Sequence, residues 1–236
     1  MSIFEKPTSD SVSMYLKQHQ PLVFDIETTP IKDMETWQNE YLEKKFRKVY
    51  KVERDLLEPN HTQEYKKLAA LDPLTARIVT IGLFYPESNT VNILMDDDEK
   101  KMLVDFWSII ATHKGPFISY NGIKFDVPFI IKRSLLYDLY PTNRDFLKFS
   151  AYNPLPEHYD LMLILASGKD RENFISLETA CNFLGVPSPK NGALKADGVA
   201  DAFLNKEFDK IKEYCEKDLR ATALLYKKIE KFAVKV

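Results

Sequence analysis

The chain has 236 residues, 44% of them hydrophobic and 29% charged, with a formal net charge of −2. That length and balance describe an ordinary soluble globular protein, most simply one large domain over 1–236 with enough apolar residues for a full core. A near-neutral charge excludes a globally basic nucleic-acid binder, so a phosphate ligand has to be met by a local patch or by metal ions.

The start, "MSIFEKPTSD", has no basic n-region and no apolar h-region, so no signal peptide is expected. The longest apolar run, "LMLILA", is far too short to span a bilayer, and a cytoplasmic protein without a membrane segment is expected. "PLVFDIE" is a short β-type apolar run ended by Pro30 and reads as a buried strand. Residues 31–72 are polar, mostly helical in pattern and too long for a hairpin loop, hence an insertion after the first strand. "RIVTIGLFY" and "TVNILM" read as a hairpin around the turn "PESN". "DDEKKMLVDFWSIIATHK" is acidic at its start and basic at its end and keeps helical periodicity. "GPFISYN" reads as a strand and "FDVPFIIKRSLLYDL" as a helix; residues 138–158 and 187–200, rich in Pro and Gly, read as loops. "SLETACNFLG" is a helix from the N-cap Ser176 to the stop Gly185, and the last helix starts near Phe208. The resulting fold class is α/β, a mixed central sheet flanked by helices. Cys181 and Cys215 sit on two different helices, make no metal-ligand pattern and read as reduced, partly buried thiols.

The chemistry concentrates in acids. Asp25 and Glu27 are two apart on the first strand, so both carboxylates leave one face while Phe24 and Ile26 point to the other. Like charges held so close raise each other's pKa or demand a cation between them, unless they are a solvent-facing pair at a strand end. Asp126 follows a strand and opens a helix, where an N-cap role and a place in the site are compatible. On the last helix Ile211, Cys215, Thr222, Leu225 and Ile229 mark the inward side. Asp218 lies on or beside that side, one turn after Tyr214, and needs a partner for its charge. If the four acids converge, they form an oxygen-rich cage for hard cations, two Mg²⁺ or Mn²⁺ ions. Two such ions activate a water on one side of a phosphate and stabilise the leaving oxygen on the other. His19, His61, His113 and His158 are scattered and take no catalytic role.

"FDIET", "YNGIKFD" and "YCEKD" resemble the three motifs of the DEDD 3′–5′ exonucleases, which have a ribonuclease H-like fold. Tyr followed three residues later by Asp places the resemblance with the DEDDy branch. "KADGVADAFLNKEFDKIKEYCEKDLRATALLY" further resembles prokaryotic proteins similar to the exonuclease domain of family B DNA polymerases. The likeness runs from about Leu22 to Tyr226, and the insertion adds little to it. It implies that Asp25 bridges two metal ions, Glu27 and Asp218 bind the water-activating one, and Asp126 serves the second. Tyr214, with Glu27, is implied to orient the attacking water, since a phenol with a pKa of about 10 is a poor base at neutral pH. The implied partner is a single-stranded nucleic acid 3′ end, DNA before RNA, and the implied product a nucleoside 5′-monophosphate. An exoribonuclease and a non-catalytic nucleic-acid-binding module on the same fold are the alternatives.

Substrate contacts are read with their structural counterparts. Thr28 offers its backbone or hydroxyl to a terminal nucleotide, or is simply a structural threonine. Asn121 and Phe125, flanking Asp126, are implied to approach the single strand, with core packing an equal alternative for Phe125. Lys190 and Lys195, in the loop before the last helix, are phosphate candidates. "KKFRKVYK", residues 44–51, interleaves basic and aromatic residues as a single-strand binder does, but reads first as an amphipathic helix with a solvated face.

Overall fold

The structure, a computed structural model, describes residues 19–51, 63–149, 157–167, 171–189, 194 and 198–233. Strand β1, Leu22–Pro30, alternates its side chains between two apolar layers. Leu22, Phe24 and Ile26 enter one layer, and Val23 enters the other. Alternation on a two-sided buried strand is what divides a core in this way. After β1 come helices α1, Thr36–Tyr50, and α2, Gln63–Ala70. They form the expected insertion and share a small core of Leu42, Phe46, Tyr65 and Ala69.

Strands β2, Ala76–Tyr85, and β3, Thr90–Leu94, form the expected antiparallel hairpin. Helix α3, Glu99–Ile110, starts at the N-cap Asp98, whose carboxylate accepts the Lys101 N–H. It ends before His113, because the chain must turn into β4, Phe117–Ser119. Helix α4, Asp126–Leu136, follows. Strand β5, His158–Asp160, leads directly into the short helix α5, Leu161–Leu165. Helix α6, Leu177–Leu184, is capped by the Ser176 hydroxyl and stopped by Gly185 at φ 64°, as its sequence indicates. Helix α7, Val199–Leu204, and the long α8, Phe208–Ala233, complete the described chain.

The sheet order is β3-β2-β1-β4-β5, with β1 antiparallel to β2 and parallel to β4, and β4 parallel to β5. The mixed five-stranded sheet with helices on both faces matches the ribonuclease H-like expectation. Helices α3 and α4 cover one face through Met102, Phe106, Val127 and Ile130. Helices α6 and α8 cover the other through Ala180, Cys181, Cys215 and Leu219.

Two stretches expected to be loops contain elements. β5 begins at the last residue of 138–158, and α7 begins inside 187–200. β5 has three residues and exists because β4 offers it a ladder, a long-range condition that local pattern does not carry. Residues 44–51 run through the end of α1 as an amphipathic helix: Phe46 is buried, Lys45 pairs with Asp72, and Arg47 pairs with Glu43 at 2.6 Å. Among the described residues no helix is long and apolar enough to cross a membrane.

Candidate active site

Asp25 and Glu27 follow Val23 on the α8 face of β1. In the ladder with β2, Asp25 stands opposite Gly82 and Glu27 opposite Thr80, and the register slips by a bulge directly after Glu27. Gly82 is required there. A Cβ at that position would lie 2.5 Å from Cys215 Sγ and 2.7 Å from Leu219 Cδ1, so α8 reaches the sheet only over a glycine.

Strand β4 pairs with β1 only at Leu22 and Val23. Beyond that point the edge of β1 is open toward α4, and Asp126 fills it: its Oδ1 accepts the Ile26 N–H at 2.9 Å. The backbone between Asp25 and Glu27 therefore holds the third carboxylate. This corrects the N-cap expectation, since Phe125 is the cap residue, makes no side-chain cap bond, and Asp126 is the first helical residue. A cap side chain turns back on its own helix; this one is drawn to a strand donor a hundred residues away in sequence.

Asp218 arrives from α8. Its charge raises the pKa of both Asp25 and Glu27, and the Tyr214 hydroxyl donates to it. Burial first, then Asp126, Glu27 and Asp218, holds Asp25 well above the ordinary carboxylate range. Burial, Asp218 and Asp126 do the same to Glu27. Asp126 is pushed up to about 7, mainly by burial, against the lowering effect of the Ile26 N–H and its own N–H. Burial and the charges of Glu27, Asp218 and Asp25 raise the Tyr214 phenol far above its usual value, so it is neutral at any physiological pH. The charges that raise Asp25 and Glu27 all come from neighbouring carboxylates, the pattern of a site short of positive charge.

Buried acids elsewhere among the described residues have donors of their own. Glu99, 3% exposed, receives Arg133 at 2.6 Å and the Ile78 N–H at 2.7 Å. Asp160, 1% exposed, accepts the N–H groups of Asn121, Ile123, Met162 and Leu163. Glu27 is 8% exposed, and among the described residues neither it nor Asp25 has a donor set against it. Asp25, Glu27 and Cys215 each offer a ligand atom, and these atoms lie within 4.8 Å of one another. A buried Glu27 beside a partly buried Asp25, both without a donor among the described residues, fits a bound divalent cation.

Asp160 is the residue that sequence reasoning passed over. It caps α5 and simultaneously anchors the loop that delivers Asp126, through Asn121 and Ile123. Asn121 needs that anchor because its φ is 69°, in the left-handed region. In the same loop Gly122 packs so closely on Ser119 that a Cβ would meet its side chain at 2.5 Å. The only sequence signal was an Asp just before an apolar run, an N-cap pattern without a recognised strand ahead of it. Cys215 was also under-read: it is a buried thiol as expected, but it faces two acids, a ligand grouping that spacing along the chain does not show.

The remaining candidates divide. Thr28 is buried and its hydroxyl donates to the Ala70 carbonyl at 2.7 Å, tying α2 to β1, so the structural alternative holds for that hydroxyl. Phe125 is half-buried, with its ring 4.9 Å from that of Phe129. Asn121 is half-buried beside it. Lys190 and Lys195 lie outside the described residues. His158 is buried against Phe24 and bonded to Ser119, and burial holds both it and His113 neutral, with pKa values of about 3 and about 4.

Comparison with known proteins follows the same lines. Residues 71–236 match the family described as "predicted 3′–5′ exonuclease related to the exonuclease domain of PolB". That span contains Asp126, Tyr214 and Asp218, while Asp25 and Glu27 precede it and join them through β1. The chain is also 30% identical over 167 residues to the uncharacterized protein MJ0365 of Methanocaldococcus jannaschii, covering 66% of this chain and 88% of that one. With a family match over most of its length, a mixed sheet of the expected kind and acids from three elements gathered at one end of β1, this chain belongs to the predicted 3′–5′ exonucleases related to the exonuclease domain of PolB.

Proposed function

We propose that this chain is a DEDDy-type, divalent-metal-dependent 3′–5′ exonuclease that acts on single-stranded ends and releases nucleoside 5′-monophosphates. The observation that carries the reading is Glu27: a carboxylate 8% exposed, among other carboxylates, without a donor among the described residues. DNA is the favoured substrate because the related domain belongs to a DNA polymerase family.

Asp25, Glu27, Asp126 and Asp218 would hold two Mg²⁺ or Mn²⁺ ions. When bound, such ions supply a reactive hydroxide and offset the charge on the departing oxygen. The protein's own part is positioning. The Ile26 N–H fixes one Asp126 oxygen and so holds that carboxylate against β1 between Asp25 and Glu27. Tyr214, neutral and bonded to Asp218, orients water by hydrogen bonding and cannot remove its proton. The O3′–P bond of the terminal linkage breaks, leaving a 3′-hydroxyl on the shortened strand.

The test is nucleotide release from 3′-labelled single-stranded DNA, duplex DNA and RNA in parallel, with Mg²⁺, Mn²⁺ or EDTA. Metal-dependent release of 5′-monophosphates, lost in Asp218→Ala, is expected. Undiminished release in that variant, or tight end binding with no turnover in either metal, overturns the reading. Faster release from RNA moves the assignment to an exoribonuclease.

A further inference from the structure

Helix α1 has two unlike faces. Gln38, Leu42 and Phe46 are its buried residues, and the last two enter the small core shared with α2. On the opposite side Trp37, Lys44 and Lys48 fall within about 40° of one another at 3.6 residues per turn. Lys51 caps the helix just beyond them. Lys45 and Arg47, on the flanks, are spent on Asp72 and Glu43. Lys44, Lys48 and Lys51 are exposed, and among the described residues no carboxylate pairs with them, although Glu40 stands one turn before Lys44. Trp37 is 50% exposed, and its Nε1 donates to Glu35 Oε2 at 2.7 Å, which anchors an otherwise open indole.

This stripe is not on a free arm. β1 runs from Glu27 through Thr28, Thr29 and Pro30 into the insertion, and the Thr28 hydroxyl holds α2 by the Ala70 carbonyl. Helix α1 is tied to the turn ahead of β2: Gln38 Nε2 donates to the Leu74 carbonyl at 2.6 Å, and the Tyr41 hydroxyl to Asp72 at 2.7 Å. From Trp37 to Lys51 the stripe is about 21 Å long at 1.5 Å per residue. The acid cluster repels a polyanion, and a net charge of −2 supplies no attraction from the molecule at large. Lysines without counter-anions neutralise phosphates and release their counterions, and an open aromatic ring accepts a stacked base.

We infer that the outward face of α1 binds the single strand behind its 3′ end, with Lys44, Lys48 and Lys51 on phosphates and the Trp37 indole stacked on a base. The inference rests on the exonuclease reading for which end of the strand enters the acid site, and not for the contact with α1 itself.

The probe is an oligothymidylate about 20 nucleotides long, beyond the usual reach of one single-strand site, titrated into the full chain in EDTA. Saturation should quench tryptophan emission in the wild type and not in Trp37→Ala, which keeps only Trp107, 3% exposed and bonded to Ser134. Affinity, read by anisotropy of a 5′-labelled strand, should fall about five-fold or more in Trp37→Ala, the effect of one lost base stack. In the triple variant Lys44→Gln, Lys48→Gln, Lys51→Gln the slope of log K against log salt should become shallower by about 2, at about 0.7 for each phosphate contact on a single strand. Arginine at the same three positions should restore the slope, and Lys100→Gln, an exposed lysine on α3, should leave it unchanged. The three lysines make no ion pair among the described residues, so the triple variant decides the matter if Trp37→Ala does not fold, which circular dichroism establishes. Absence of quenching in the wild type, an unchanged slope in the triple variant, or an equal change in Lys100→Gln overturns the inference. Quenching and the slope change without metal-dependent nucleotide release support the α1 contact and remove the exonuclease reading; release with an unchanged slope does the reverse.

Discussion

Glu27 and Glu99 are the same side chain at similar depth, 8% and 3% exposed, and differ in their company. Arg133 and the Ile78 N–H neutralise Glu99, whereas like charges surround Glu27. One substitution should therefore act in opposite directions. In metal-free protein Glu27→Gln should raise stability by on the order of 1 kcal/mol, about 2–4 °C in Tm, while abolishing nucleotide release. Glu99→Gln should cost about 3–5 kcal/mol, because it leaves Arg133 buried without its anion. Thermal denaturation of the two variants checks this, and shifts of the same sign would contradict it. Asp160 belongs to the same scale. Asp160→Ala strands the N–H groups of Asn121 and Ile123 and should cost about 2–3 kcal/mol. Because those groups hold the loop ahead of Asp126, Asp160→Asn should lower kcat more than it raises KM, which a steady-state comparison reads. Asp25 and Glu27 were legible in the sequence because strand alternation is a local rule. Asp160 was not, because its partners lie 37 and 39 residues away.

At the scale of elements, the decisive contact is α8 against β1 and β2. The helix can bring Tyr214, Cys215 and Asp218 to the acid pair because Gly82 leaves room for Cys215 and Leu219. Gly82→Ala should lift the helix and cost about 1–3 kcal/mol as an overpacking defect. It should also weaken metal binding, which isothermal titration with Mn²⁺ measures; unchanged affinity would show that α8 tolerates the displacement. The inward face of α8 was readable from helical spacing, and Ile211, Cys215, Thr222, Leu225 and Ile229 are all buried. Its height above the sheet was not, since nothing local links residue 82 to residue 215.

For the molecule as a whole, metal and pH are linked through the acid cluster. Asp126 has an ordinary value of 3.8 and about 7 in the fold. Between those values the folded state binds the extra proton, so its contribution is complete below 3.8 and is lost as pH rises through about 7. The buried His113 and His158 act oppositely, with folded values depressed below 6.5, and their contribution is lost as pH falls. Comparing metal-free wild type with Asp126→Asn removes the histidine effect. The Tm difference should move in favour of the variant as pH rises from about 4 to beyond 7, and a difference independent of pH would refute the assignment. Saturating Mn²⁺ should reverse it, by stabilising only the protein that keeps the carboxylate.

The amino-acid sequence by itself determined the class of fold, the helical insertion after β1, the shared face of Asp25 and Glu27, and the pairing of Tyr214 with Asp218. Each follows from periodicity or spacing within one element, where the physics is local. Tertiary structure alone decided that Asp126 serves the Ile26 N–H rather than a helix cap, that Thr28 is spent on Ala70, that Asp160 holds the loop, and that Cys215 looks at the acids. Those are contests between donors and acceptors far apart along the chain, settled only when the sheet order puts β1 between β2 and β4.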